Sequence, residues 1–143
     1  MNSKLNIYQI FTIPFNEDEF IDAINSINNI NIKIHNRLSI ILSDFCFNKA
    51  SVGYNYIIEC LQYCITNNLT HIDNMKDLYK IIEEKYNNKE ISQEKISWNI
   101  AKAIDSMNKS TDSMILNKFF HYVTYPSSKI FLNELLHVYY SDT

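Results

Sequence analysis

A chain with one glycine, Gly53, and two prolines, Pro14 and Pro126, has few means of turning sharply. Glycine supplies positive φ without steric penalty and proline presets a turn, so their scarcity favours long helices joined by short polar breaks. The same scarcity excludes glycine-rich phosphate-cradling loops, which need several glycines for close backbone approach. Apolar residues make up 46% of the 143 and are spread along the whole chain. That argues against disorder and suits a single domain with a substantial core. No apolar run approaches the roughly eighteen residues that mark a spanning helix. The first residues, MNSKLNIYQIF, hold one lysine and no small-residue cleavage site, so no secretory signal is expected and the cytoplasm is the expected location.

The most informative stretch is residues 75–107. Leu78, Ile81 and Ile82, then Ile96, Ile100, Ala103, Ile104 and Met107, recur at spacings of three and four. This is the periodicity of two amphipathic helices. Asn87, Asn88 and Lys89 form the polar break between them, and Ser92 stands where it can cap the second helix. Two helices joined in this way form a helix-turn-helix, whose second helix can enter a DNA major groove.

Elsewhere the pattern is less regular. Residues 5–13 are β-branched and aromatic and read as a strand ended by Pro14. Asn16 followed by Glu17, Asp18 and Glu19 opens a helix, with carboxylates at the positive end of its dipole. Phe20, Ile21, Ile24 and Ile27 give its apolar stripe, Asn28 and Asn29 close it, and residues 30–34 read as a second short strand. Helical spacing resumes from His35 and again from Tyr54 to Ile65. Past Met107, a polar loop over 108–112 precedes a short helix around Met114–Phe120, and a final helix spans 129–140.

Candidate chemistry is sparse. Cys46, Cys60 and Cys64 are odd in number, and buried apolar thiols are the expected reading. His71 and Asp73 can begin a metal site, but a loop histidine beside a surface aspartate is far commoner. Glu17–Glu19 reads as a solvated helix start, and Glu83-Glu84 as helix surface rather than a catalytic pair. Tyr54, Tyr56, Tyr139 and Tyr140 can stack bases, yet tyrosines this frequent are mostly core with a hydrogen-bonded tip. Neither a nucleophile elbow nor a clustered triad occurs. No enzyme, cofactor or metal is expected.

Four stretches, in order and spacing, carry a family resemblance. They are residues 50–59 with Gly53-Tyr54 and Tyr56; Leu78-Tyr79 with Ile82 and Lys85-Tyr86; Lys95-Ile96 with 99–105; and Phe120-His121-Tyr122 followed by Pro126-Ser127 through Phe131-Leu132. From about Leu38 to Tyr140 the chain resembles the C-terminal DNA-binding domain of stage 0 sporulation protein A, the response regulator that starts endospore formation in Gram-positive bacteria. The resemblance implies a helix-turn-helix that binds double-stranded DNA, and AT-rich promoter sites are the expected partner. It also implies self-association as a head-to-tail dimer on tandem sites. Family members carry an N-terminal receiver domain with a phosphorylatable aspartate. Here only residues 1–35 precede the match, so phosphorylation by relay is not expected.

Departures from the family fall on the recognition helix. Its Arg-Val-Glu-Arg-Ala-Ile-Arg-His becomes Lys95-Ile96-Ser97-Trp98-Asn99-Ile100-Ala101-Lys102, which removes the bidentate arginine contacts to guanine. Asn99 can read adenine, and Lys95 and Lys102 can hold phosphates or guanine. The family proline after Leu78-Tyr79 is Lys80. Trp98 lies opposite Ile96 and Ile100 on the helix wheel. Contact with thymine methyls, anchorage of a protein partner and packing beneath the N-terminal segment all remain open for it.

Net charge is −3. Residues 1–75 carry four basic and seven acidic groups, and residues 76–143 carry nine of each. A near-neutral helix pair is weak for phosphate binding, for which a basic patch is the usual footprint.

These observations predict a mainly α fold. Residues 36–143 should form a bundle of five to six helices containing the helix-turn-helix, and residues 1–35 a small appendage with up to two short strands. The expected function is a stand-alone sequence-specific transcriptional regulator. Lys95, Ser97, Trp98, Asn99 and Lys102 would face the groove, with Lys89, Gln93 and Lys109 near phosphates. The competing expectation is a degenerate helix-turn-helix that binds another regulator through Trp98 and antagonises or modulates it.

Overall fold

The computed structural model describes residues 16–87, 90–121 and 126–141. Six helices and no strand occur among the described residues: α1 (Glu17–Leu42), α2 (Val52–Thr66), α3 (Met75–Tyr86), α4 (Gln93–Ser110), α5 (Ser113–Phe120) and α6 (Ser128–Ser141). The chain falls into two compact units, 1–33 and 34–143.

Helix α1 begins where its residues dictate. The Asn16 side chain accepts from the Asp18 N–H at 2.8 Å, and Glu17, Asp18 and Glu19 occupy the first turn. The strand expected at 30–34 and the helix end expected at Asn28-Asn29 are both corrected, since these residues lie inside α1. Ile30, Ile32 and Ile34 fit a period of two, but Ile27, Ile34 and Leu38 also share one helical face. Burial of Ile34, Leu38 and Leu42 outweighs the few tenths of a kcal/mol that each asparagine subtracts from helix propensity. The strand expected at 5–13 lies outside the described residues.

In the unit 34–143 the core is continuous. Leu38 and Leu42 of α1, Ile57 and Leu61 of α2, Ile82 of α3, Ile96, Ile100 and Met107 of α4, and Phe131, Leu132, Leu135 and Leu136 of α6 are almost fully buried. The segment after α1 joins this core through its rings. Phe45 lies 4.8 Å from Phe119 and 5.7 Å from Phe131, both edge to face, the arrangement ring quadrupoles favour. Helix α4 runs to Ser110, three residues past the expected end at Met107. Asn108, assigned to a polar loop by sequence, is buried within it.

Three side chains tie distant segments together. Arg37 donates to the carbonyl of Tyr139 at 3.0 Å, and its guanidinium stands 4.7 Å from the centre of that ring. Asn133 on α6 clamps the backbone of Ile72, accepting from its N–H at 2.7 Å and donating to its carbonyl at 3.1 Å. Thr111 is buried and accepts from the Cys46 N–H at 2.9 Å.

Gly53 sets the distance between α2 and α4. A Cβ there would fall inside the contact radius of the Asn99 carbonyl and 2.8 Å from the Ala103 Cβ. Gly53→Ala is therefore expected to force the two helices apart and to lower the unfolding free energy by about 1–3 kcal/mol, as overpacking does; urea denaturation measures this.

Cys60 and Cys64 are buried while Cys46 is exposed. Burial raises both inner thiols, Cys64 to about 11, so neither is a thiolate near neutral pH. With Ellman's reagent at pH 8, one thiol should react in the native protein and three after unfolding.

Candidate nucleic-acid interface

Each end of the α3–α4 pair is fixed by its own sequence. Asn74 caps α3, accepting from the Lys76 N–H at 2.9 Å. Asn87 ends α3 in the left-handed region at φ 47°, a conformation asparagine tolerates better than most residues. Ser92 caps α4 by accepting from the Lys95 N–H at 3.2 Å. A second acceptor comes from the preceding helix: the Glu83 carboxylate receives the Gln93 N–H at 3.1 Å. Glu83, read from sequence as helix surface, thus spans the turn and fixes where the second helix starts. Tyr79, on α3, is buried, and desolvation raises its hydroxyl pKa, with Ser97 of α4 and Ser128 of α6 nearby acting to lower it.

Ile96, Ile100, Ile104 and Met107 turn inward, which assigns the opposite face of α4 to the outside. Lys95, Trp98 and Lys102 share that outer face, with Lys109 two turns further on. Trp98 is 61% exposed, and the Lys102 ammonium stands 4.8 Å from its ring centre, within the range of a cation–π contact. Lys95 donates to the Glu90 carbonyl at 2.8 Å, and Lys109 pairs with Asp105 at 3.0 Å.

The remaining expected residues are placed differently. Ser97 and Asn99 are half-buried on the two flanks of α4. Asn99 lines a cleft of about 330 Å³ with Gly53, Ser51 and Lys102, and its side-chain amide donates to the Lys95 carbonyl at 2.8 Å. Gln93 is half-exposed at the helix start. Lys89 lies outside the described residues. The exposed face also carries Glu94 and Asp105, so its positive charge is diluted.

His71 and Asp73 approach to 3.4 Å with both side chains largely exposed, and no group of three metal-ligating side chains occurs among the described residues. Tyr54 and Tyr56 are buried. Glu59 accepts from the Tyr86 hydroxyl and pairs with Lys85 at 3.6 Å, joining α2 to α3. No helix among the described residues is long and apolar enough to cross a membrane.

Two capped amphipathic helices across a short turn, the second with an exposed polar and aromatic face, define a helix-turn-helix domain. Residues 38–139 match the family model described as Sporulation initiation factor Spo0A C terminal. The chain belongs to this family of DNA-binding effector domains of the sporulation regulator. Neither the curated proteins nor the solved structures compared with it give a match.

Removal of the Glu83 acceptor should loosen the turn. Glu83→Ala is expected to cost about 1 kcal/mol, the usual worth of a helix cap, read as a lower urea midpoint with an unchanged slope.

Proposed function

We propose that the chain is a stand-alone, sequence-specific DNA-binding regulator in which residues 36–143 form the binding domain and residues 1–35 an appendage. The observation that carries this reading is the shared outer face of Lys95, Trp98 and Lys102 on the second helix of a capped helix-turn-helix. In the groove, Lys95 and Lys102 neutralise phosphates or reach guanine, Trp98 lies against thymine methyls, and Ser97 and Asn99 reach in from the flanks. Asn99 reads adenine once its amide leaves the Lys95 carbonyl. Gln93, Lys89 and Lys109 contact the backbone.

The preference for AT-rich promoter sites follows from what the chain lacks. Its sole arginine is Arg37, and that guanidinium is bound to Tyr139. Bidentate readout of guanine by arginine is therefore absent, which leaves guanine to lysine alone and shifts the weight of sequence readout toward adenine and thymine contacts. Binding of tandem sites by two copies is what membership of the family implies.

A second reading rests on Trp98. An exposed tryptophan with a cation over its ring is a common anchor of protein interfaces, and the near-neutral helix pair suits a module that antagonises or modulates a DNA-bound regulator.

Fluorescence anisotropy of AT-rich duplexes across a salt series tests both. The first reading expects saturable, sequence-selective binding that weakens steeply with salt. Replacing both Lys95 and Lys102 by alanine should flatten the salt slope by about two, at about 0.9 per phosphate contact. Charge reversal of both should abolish binding. Absence of DNA binding at low salt, together with a protein partner that Trp98→Ala no longer binds, would select the second reading. Indifference of every activity to both changes would remove this helix from either.

A further inference from the structure

The first half of α1 carries an apolar stripe that DNA binding does not use. Ile24, Ile27 and Ile30 are 40%, 59% and 54% exposed. At about 100° per residue they lie on the line that continues to Ile34 and Leu38. Apolar residues at spacings of three and four along one face form a seam that a second helix covers. The exposed charges are divided by sign along the helix: Glu17, Asp18 and Glu19 stand in the first turn, and Lys33 beyond the stripe.

We propose that two copies of this chain associate through this stripe as an antiparallel helix pair, with the two-fold axis near Ser26. The charges choose the orientation. A parallel pair would set one acidic first turn against the other. The antiparallel pair sets Glu19 against the partner's Lys33, and Lys33 against the partner's Glu19, along one flank of the seam. That pairing fixes the register, because its midpoint is position 26. Two-fold symmetry makes every contact occur twice, and flanking charges of this kind fix orientation in helix pairs. Burial of Ile34, Leu38 and Leu42 already holds the other end of α1, which lowers the nucleation cost that leaves short isolated helices marginal. This pairing is isologous and needs no DNA, unlike head-to-tail occupancy of tandem sites.

Sedimentation velocity of the full chain without DNA, over about 1–100 μM, tests the proposal in the range where a modest interface reports. The expected result is a concentration-dependent dimer. Ile27→Asp should weaken it at least about tenfold, the effect of some 1.4 kcal/mol, with unchanged helical circular dichroism. Glu19→Lys and Lys33→Glu should each weaken it by about threefold to tenfold, and the double variant should regain most of the loss. A monomer across the range would overturn the proposal, as would a dimer indifferent to Ile27→Asp. Failure of the double charge reversal to recover would overturn the antiparallel arrangement. Each of these failures would leave DNA binding by α4 untouched.

Discussion

The close approach of α2 to α4 at Gly53 is the contact on which the candidate interface depends. Where any other residue would place a Cβ, the backbone of Asn99 and the methyl of Ala103 take up the space. That contact falls in the middle of α4, at Asn99 and Ala103, each next in sequence to Trp98 and Lys102 respectively, so it sets the depth at which this helix sits. It also explains why the chain's single glycine is found in the first turn of a helix, where flexibility has no use. The residue is needed for its missing side chain rather than for its φ, since no glycine here adopts a positive φ.

From that contact outward, the helix-turn-helix is held by groups that satisfy its exposed backbone ends. Ser92 and Glu83 each accept one N–H from the first turn of α4, and helix ends without such partners are costly when half-buried. Tyr79 of α3 is buried beside Ser97 of α4 and Ser128 of α6, so these three helices meet at one point of the core. These are positioning contacts. They direct the outer face of α4, whose lysines already make contacts of their own: Lys95 with the Glu90 carbonyl, Lys102 with Trp98 and Lys109 with Asp105.

Local periodicity made much of this legible. The α3–α4 pair could be read from sequence because its caps and its apolar stripe lie within one short window. The N-terminal half of α1 could not, since Ile30, Ile32 and Ile34 satisfy a period of two as well as they satisfy a helix. Only the burial of Ile34, Leu38 and Leu42 settles the choice, and burial is a tertiary fact. The clamps were hidden for a related reason. Arg37 meets Tyr139 across 102 positions, Asn133 meets Ile72 across 61, and Glu83 meets Gln93 across ten. None of these pairs leaves a local signature. At the interface, the wheel gave the outward direction of Lys95, Trp98 and Lys102, but it could not foresee that Asn99 would turn toward Gly53.

The placement of charge has the widest consequence for function. A protein that reads guanine relies on arginine forks, which present two donors in a plane and stay ionised. Here the one arginine closes the end of α6, where it meets a carbonyl at the negative end of a helix dipole and the face of a tyrosine. Lysine is left to serve the outer face, and one of the two central lysines lies over Trp98. A lysine on an aromatic ring is partly desolvated before any partner arrives, so moving it onto a phosphate exchanges one favourable contact for another. Net affinity then depends on whether the freed indole is covered again. Thymine methyls in a groove or an apolar pocket on a protein would each do so, and the contact between the two side chains couples Trp98 to Lys102 under either proposed reading.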